Sequence, residues 1–205
     1  MYSGIISGTF AVNKIKDISG RRTFYLDLDD RHLSGLGIGS SVSLDGVCLT
    51  VVTIISNRVS FDLSQETINQ TTLGNINVGD KVNIERSLKS GQEIGGHPIS
   101  GHIDTTAKVI DLNIENNNWV VTFAIGSRWG SYLFRKGFVA INGASLTIAN
   151  INKKTSQFSV SIIPETLRQT TFDQKQVGSV VNIEIERQTQ ILVDTIKSTL
   201  SEINL

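Results

Sequence analysis

The sequence is poor in the residues that define several large classes of protein. It has one cysteine, Cys48, and so can form neither an internal disulfide nor a multi-cysteine zinc site. Its 19 basic and 19 acidic residues cancel, and basic residues cluster only in pairs, which argues against a nucleic-acid-binding surface. Aromatic residues make up only 6% of the chain, too few for platforms that stack on single-stranded nucleic acid.

Long hydrophobic runs are also missing. No segment approaches the roughly 20 apolar residues that a membrane-spanning helix needs. Met1 leads directly into a segment that recurs later in the chain, which leaves no room for a signal or transit peptide. We therefore expect a soluble, cytoplasmic protein that is not embedded in a membrane.

What the chain does contain is an internal repeat. Residues 41–54 read SVSLDGVCLTVVTI, and residues 138–151 read FVAINGASLTIANI. Three further pairs keep the same order: 3–6 with 100–103, 61–72 with 160–171, and 78–85 with 177–184. A repeat of about 100 residues is too long for a solenoid and matches the usual size of a domain. We predict two similar domains, residues 1–96 and 97–186, followed by a C-terminal segment, 187–205.

Short β-branched segments separated by Gly, Asn and Asp turns predict an all-β fold of two small antiparallel barrels or sandwiches. Ser64 can cap a short helix in the first copy, and Pro164 suits the first turn of its counterpart. In the C-terminal segment, apolar residues recur at helical spacing: Leu192, Ile196, Leu200 and Ile203. This stripe can pack either on its own barrel or against the same helix of another subunit.

Alternation along a strand places small polar side chains on one face of each copy. Cys48 and Thr50 share a face in the first copy, as Ser145 and Thr147 do in the second. Thr67 and its counterpart Thr166 add a second repeated polar point, suited to hydrogen-bonding the edge of a flat heterocycle. The alternative is that these are ordinary strand-surface residues, although the repetition makes that less favourable.

The two copies differ at reactive residue types. Cys48 is matched by Ser145, Lys136 by Gly39, His102 by Ile5, and Glu186 by Ser87. Duplicated binding with unequal reactive groups suits an enzyme that binds two copies of one ligand in different roles. Ordinary divergence after duplication gives the same pattern.

The segment GGHPISGHID (95–104) carries two of the three histidines. His97 and His102 can serve in acid–base chemistry, can bind a metal together with Asp104 and with Cys48 as a further ligand, or can be turn residues bonded to the backbone. The spacing matches no common zinc pattern. His32 lies in a predicted loop and is expected at the surface, while a lone strand cysteine such as Cys48 is often only a small buried hydrophobe.

Along nearly its whole length the chain resembles the riboflavin synthase family. The resemblance rests on MYSGII at the start, DGVCLTV (45–51), IGGHPISGHID (94–104), KGFVAINGASLTI (136–148), IPETLRQTT (163–171) and VNIEIE (181–186). It implies two tandem six-stranded Greek-key barrels with short helices and a C-terminal α-helix that serves in oligomerisation. It further implies a homotrimer, with the active site between the first barrel of one subunit and the second barrel of its neighbour, and an association with lumazine synthase.

The activity that the resemblance implies is the dismutation of two 6,7-dimethyl-8-ribityllumazine molecules, without metal or organic cofactor. The products are riboflavin and 5-amino-6-ribitylamino-pyrimidinedione. The implied first-barrel pocket consists of Ser41, Cys48, Thr50, Ser64 and Thr67. The implied second-barrel pocket consists of Gly101, His102, Ile103, Lys136, Ser145, Thr147, Ile162 and Thr166.

By the same resemblance the catalytic set is His102, Cys48, Ser145, Glu186, Lys136 and His97. His102 and Ser145 are expected to assist proton transfer, Cys48 and Thr50 to position or activate the other lumazine, and Glu186 to supply a carboxylate. Tyr2, Ser3 and Glu186 stand where the family usually has Phe, Thr and Asp. The rival interpretation is a lumazine- or flavin-binding carrier of the same fold that lacks catalytic activity.

Overall fold

Each copy of the repeat folds into one closed barrel of antiparallel strands in a computed structural model that describes residues 1–115 and 118–203. The first barrel contains β1 (Gly8–Ile18), β2 (Arg21–Asp27), β3 (Ser41–Leu44), β4 (Val47–Ile55), β5 (Arg58–Ser64) and β6 (Lys81–Arg86). The second contains β7 (Thr105–Glu115), β8 (Asn118–Ile125), β9 (Phe138–Ile141), β10 (Ala144–Asn152), β11 (Gln157–Ile162) and β12 (Val180–Ile185).

The two barrels have the same strand order, β1-β2-β5-β4-β3-β6 in the first and the equivalent order in the second. Consecutive hairpins join β3, β4 and β5, and β6 then returns through a longer connection to pair with β3, which is a Greek-key arrangement. The predicted fold class is therefore confirmed. Turns Asp45-Gly46 and Asn142-Gly143 reverse the β3–β4 and β9–β10 hairpins, as the repeated sequence motif indicates.

Four helices complete the described parts of the chain: α1 (Asp30–Leu33), α2 (Gln65–Gln70), α3 (Pro164–Gln169) and α4 (Arg187–Ile203). Short 3₁₀ turns occupy Thr72–Asn75, Ser127–Tyr132 and Thr171–Gln174. The Ser64 side chain accepts the Thr67 N–H and caps α2, and Pro164 opens α3, as predicted. None of these helices combines the length and apolar character required to cross a membrane.

Each barrel has its own apolar core. Phe24 and Phe61 are fully buried in the first, and Phe123 stacks on Phe158 at 5.2 Å in the second. Inward-facing residues of β4 and β10, among them Leu49 and Leu146, are buried as the alternation predicts.

The segments that precede β1 and β7 cross between the barrels. In the N-terminal segment (residues 1–7), Ile6 packs into the core of the second barrel. In the central segment (residues 95–104), Ile103 packs against the core of the first barrel. The two segments pair with each other, since the Tyr2 N–H donates to the Ile99 carbonyl at 2.8 Å and Ile99 N–H donates back at 3.0 Å. This exchange brings residues of both copies to each barrel.

Reciprocal hydrogen bonds also join the barrels directly. The Asn83 Nδ2 donates to the Asn142 carbonyl at 2.9 Å, and its counterpart Asn182 Nδ2 donates to the Asp45 carbonyl at 2.9 Å. All four side chains are buried. Buried amides with satisfied partners favour one relative placement of the two barrels.

Candidate active site

The repeated polar pairs lie at the start of β4 and β10. Cys48 and Ser145 are half-buried, while Thr50 and Thr147 are exposed beside them. Ser41 pairs with Thr50 across the β3–β4 ladder, so it borders the same patch. Because β5 and β11 run antiparallel to β4 and β10, their ends lie beside these starts.

The second pair of repeated polar residues, Thr67 and Thr166, lies just beyond those strand ends. Ser64 ends β5, and its hydroxyl lies 3.0 Å from the Thr67 hydroxyl in α2. Ile162 ends β11 and is fully buried, and Thr166 follows in α3. Each barrel therefore collects polar groups from two neighbouring elements at one end.

In the first barrel, both crossing segments reach Cys48. The Cys48 N–H donates to the Gly101 carbonyl at 2.8 Å, and the Tyr2 hydroxyl donates to the Cys48 Sγ at 3.1 Å. Gly101 has φ +83°, and a Cβ there would lie 2.5 Å from the Cys48 Cβ, so glycine is required for this contact. The central segment thus forms one wall of the first site.

In the second barrel, both crossing segments reach Ser145. The Ser145 N–H donates to the Gly4 carbonyl at 2.9 Å, which repeats the contact between Cys48 and Gly101. His97 Nδ1 lies 2.6 Å from the Ser145 Oγ, and its ring stacks on Phe138 at 5.3 Å. The N-terminal segment thus forms the corresponding wall of the second site.

Two buried carboxylates hold these walls in place. Glu85 accepts hydrogen bonds from the Ser3 N–H, the Ser3 hydroxyl and the Gly4 N–H at 2.7 to 3.0 Å. Glu184 accepts the equivalent bonds from Ser100 and Gly101 at 2.7 to 2.8 Å. The hydroxyl of Ser3 thus makes a bond that a Thr hydroxyl could also make.

The grouping of Gly101, His102 and Ile103 with the second-barrel pocket stays a prediction, although within one chain these residues lie beside the first barrel. Gly101 and Ile103 contact the first barrel because the chain crosses over before β7 begins. His102 lies between them with an exposed side chain. The residues that belong with the second barrel are Gly4 and Ile6 of the N-terminal segment, which sequence reasoning missed. The match of residues 3–6 to 100–103 was the signal that could have found them.

His97 is the imidazole that reaches Ser145 within one chain. It is buried, and burial lowers its pKa, an effect that the nearby Glu186 carboxylate opposes. A neutral imidazole can accept a proton through Nδ1 or orient the Ser145 hydroxyl.

Lys136 and Glu186 occupy unusual positions beside the second barrel. Lys136 is exposed and has φ +68°, a left-handed conformation that Gly39 adopts at the equivalent place in the first copy. Glu186 immediately precedes α4 and accepts a 2.6 Å hydrogen bond from the Thr189 hydroxyl. A cavity of about 470 Å³ adjoins Glu186 and the central segment at Pro98, Ile99 and Ser100.

His32 and Asp104 both have defined partners in the structure. The surface position expected for His32 is wrong: its side chain is 4% exposed because it lies between Asp29, at 2.6 Å, and Ser7, at 2.9 Å. Asp104 accepts bonds from the Ile185 N–H and from Arg187, which ties the central segment to α4. Within residues 1–115 and 118–203, no three His, Cys, Asp or Glu side chains converge as metal ligands would.

Two barrels with the same polar frame and unequal reactive side chains define a duplicated small-molecule-binding protein. The family model described as lumazine binding domain matches residues 3–87 and 100–186. The chain is 45% identical to riboflavin synthase of Escherichia coli K12, over 98% of this chain and 94% of that protein. It is 44% identical to riboflavin synthase of Buchnera aphidicola subsp. Schizaphis graminum, over 98% and 97% of the two chains.

Solved structures show the same fold. The crystal structure of LumP complexed with riboflavin superimposes with a TM-score of 0.84 at 26% identity, over 91% of this chain and all of that one. LumP complexed with 6,7-dimethyl-8-(1'-D-ribityl) lumazine superimposes with a TM-score of 0.82 at 25% identity. This chain belongs to the riboflavin synthase family, and the sequence-based recognition of that family is confirmed.

Proposed function

We propose that this protein is a riboflavin synthase, a transferase that converts two molecules of 6,7-dimethyl-8-ribityllumazine into riboflavin and 5-amino-6-ribitylamino-pyrimidinedione. The observation that carries the proposal is that two equivalent sites have different reactive side chains. Cys48 is hydrogen-bonded to a phenol, whereas Ser145 is hydrogen-bonded to an imidazole. A dismutation needs one substrate in two chemical roles, and these sites can supply both.

In the second-barrel site, the buried His97 and the half-buried Ser145 are the groups that take up or relay the proton lost from the 7-methyl group of one lumazine. In the first-barrel site, Cys48 activates or positions the other lumazine, and Thr50, Ser64 and Thr67 bind its polar edge. Gly101, His102 and Ile103 complete that first site. Lys136, Thr147, Ile162 and Thr166 complete the second, and Glu186 supplies a carboxylate beside His97.

The alternative is a carrier that binds a lumazine or a flavin without turnover. LumP is a protein of this shape whose structures contain riboflavin, flavin mononucleotide or the lumazine. Catalysis is favoured by the 2.6 Å contact between His97 and Ser145, which ligand binding alone does not require. The left-handed backbone of Lys136 supports it too, since strain of about 1 to 2 kcal/mol is retained where a glycine would fit.

The test is to mix the purified protein with 6,7-dimethyl-8-ribityllumazine in the presence of chelator, with no added cofactor. Loss of two lumazines for each riboflavin, followed by absorbance and chromatography, is the expected result. Binding without riboflavin formation would favour the carrier. His102→Ala and Cys48→Ala variants then test the two residues separately, and unchanged turnover removes the substituted residue from the mechanism.

We further propose that the protein assembles as a cytoplasmic homotrimer. The apolar stripe of α4 supports this, because Leu192 and Ile196 are 62% and 50% exposed although Tyr132 and Asp194 tie the helix to the second barrel. Exposure of Thr50, His102 and Thr147 is consistent with sites completed by a neighbouring subunit. Sedimentation equilibrium should give three times the chain mass. Association with lumazine synthase remains a prediction, to be tested by co-sedimentation of the two proteins.

A further inference from the structure

The single thiol of the chain has a buried phenol as its partner. The Tyr2 hydroxyl lies 3.1 Å from the Cys48 Sγ, a normal distance for a hydrogen bond to sulfur. Tyr2 is 1% exposed, so water does not compete for its hydroxyl. A phenylalanine, which the resemblance leads one to expect at this position, would leave the sulfur without this donor.

Packing fixes the phenol against the sulfur. Paired backbone hydrogen bonds to Ile99 hold Tyr2, and its ring packs with Ile99 and Ala140. On the other side, Gly101 approaches so closely that an added Cβ would lie 2.9 Å from the Tyr2 Cε2. The ring therefore cannot carry its oxygen away from the Cys48 sulfur without displacing the central segment.

The phenol acts as a donor under all ordinary conditions. Burial, followed by the interaction with Cys48, raises the pKa of Tyr2 well above its usual value of 10.0, so the ring keeps its proton. A neutral phenol stabilises a sulfur that gains negative charge, because hydrogen bonds to charged acceptors are stronger than those to neutral ones.

We propose that Tyr2 is a positioning residue of the first-barrel site, whose hydroxyl fixes the Cys48 side chain and supports negative charge on its sulfur. This rests on the proposed function, in which Cys48 touches one lumazine. His97 has the corresponding place beside Ser145, so the same pair of crossing segments gives each site a different polar partner. The two sites are thereby made unequal by side chains that lie outside both barrels.

The first experiment measures alkylation of Cys48 by iodoacetamide in Tyr2→Phe and in the unaltered protein, without substrate. The label reports one site, because Cys48 is the only cysteine. Loss of the hydrogen bond removes a donor that stabilises negative charge on the attacking sulfur, so the alkylation rate should fall about threefold. Tyr132→Phe is the matched control, since it loses a hydroxyl that bonds Asp194 in α4, and its rate should not change.

The second measurement is infrared spectroscopy of the unreacted thiol. The infrared S–H stretch of the single thiol reports whether the sulfur accepts a hydrogen bond, and Tyr2→Phe should shift it towards the value of a free thiol. An unchanged S–H stretch together with an unchanged or faster alkylation rate in Tyr2→Phe would overturn the proposal, provided that thermal unfolding shows the variant to be folded.

Steady-state kinetics test the role of Tyr2 separately from the proposed function on which that role rests. We expect Tyr2→Phe to lower kcat more than it raises KM, and to have no further effect in a Cys48→Ala background, because Tyr2 acts through the sulfur. Additive losses in the double variant would contradict the role. If the unaltered protein forms no riboflavin but Tyr2→Phe still slows alkylation, the proposed function fails while the contact between Tyr2 and Cys48 stands.

Discussion

Replacement of Asp45 by Asn should stabilise this protein at neutral pH. Asp45 is 2% exposed at the β3–β4 turn, and its Oδ1 accepts the Asn83 N–H at 2.8 Å. The second copy has Asn142 at the equivalent turn, where its Oδ1 accepts the Asn182 N–H at 2.7 Å. Both turn residues have φ +45°, a conformation that Asn tolerates well. The substitution therefore copies an arrangement that the fold already contains.

The magnitude follows from the buried charge. Desolvation raises the pKa of Asp45 from 3.8 to about 6, although the Asn83 hydrogen bond and Lys175 oppose the increase. The folded protein then binds the proton more tightly than the unfolded chain does. The contribution of Asp45 to the free energy of unfolding is highest below its pKa in the unfolded chain, 3.8. It falls as pH rises from there to its pKa in the folded protein, about 6, and stays lower at higher pH. At 1.36 kcal/mol per pH unit, the loss is about 3 kcal/mol.

Urea unfolding of Asp45→Asn and of the unaltered protein, from about pH 4 to about pH 8, tests this reasoning. The two should agree at the acid end, and the variant should be more stable by about 3 kcal/mol above pH 7. Asn142→Asp is the reverse control and should introduce the same pH-dependent loss. Equal slopes for Asp45→Asn and the unaltered protein across this range would refute the assignment of a raised pKa to Asp45.

Three further predictions concern Lys136, Gly101 and His97. Lys136→Gly should raise the free energy of unfolding by up to about 1 kcal/mol and lower turnover. Lys136→Met should lower turnover without the gain in stability. Urea unfolding and steady-state kinetics measure the two effects. Gly101→Ala should cost about 1 to 3 kcal/mol more than Gly39→Ala, since both have positive φ but only Gly101 abuts Cys48. Because burial lowers the pKa of His97, turnover should decline only below about pH 6.5, and His97→Gln should lack that decline.

Much of the fold could be predicted because its signals are local. Alternation from Cys48 to Val51 indicates which side chains face the core, and Asp45-Gly46 and Asn142-Gly143 mark the hairpin turns. The repeat itself predicts two similar domains, since a segment that recurs in the same order folds in the same way. Residue types also showed that the reactive groups are not duplicated.

The contacts that join the copies could not be predicted in this way. His97 and Ser145 are separated by 48 residues, and Tyr2 and Cys48 by 46, so no periodicity relates them. The burial of His32 has the same origin, because Ser7 reaches it from a distant part of the chain. Such contacts depend on where strands end in space.

By itself, then, the sequence determined the duplication, the strands, the turns, the family and the residue types available for chemistry. Only the tertiary structure decided that residues 1–7 and 95–104 run between the barrels and contact both, with Ile6 packed in the second core and Ile103 against the first. The physical reason is that local side-chain patterns specify which face of a strand is buried, whereas the partner of a connecting segment depends on packing between whole barrels. Because each segment contacts both barrels, Tyr2 gives Cys48 a phenol and His97 gives Ser145 an imidazole.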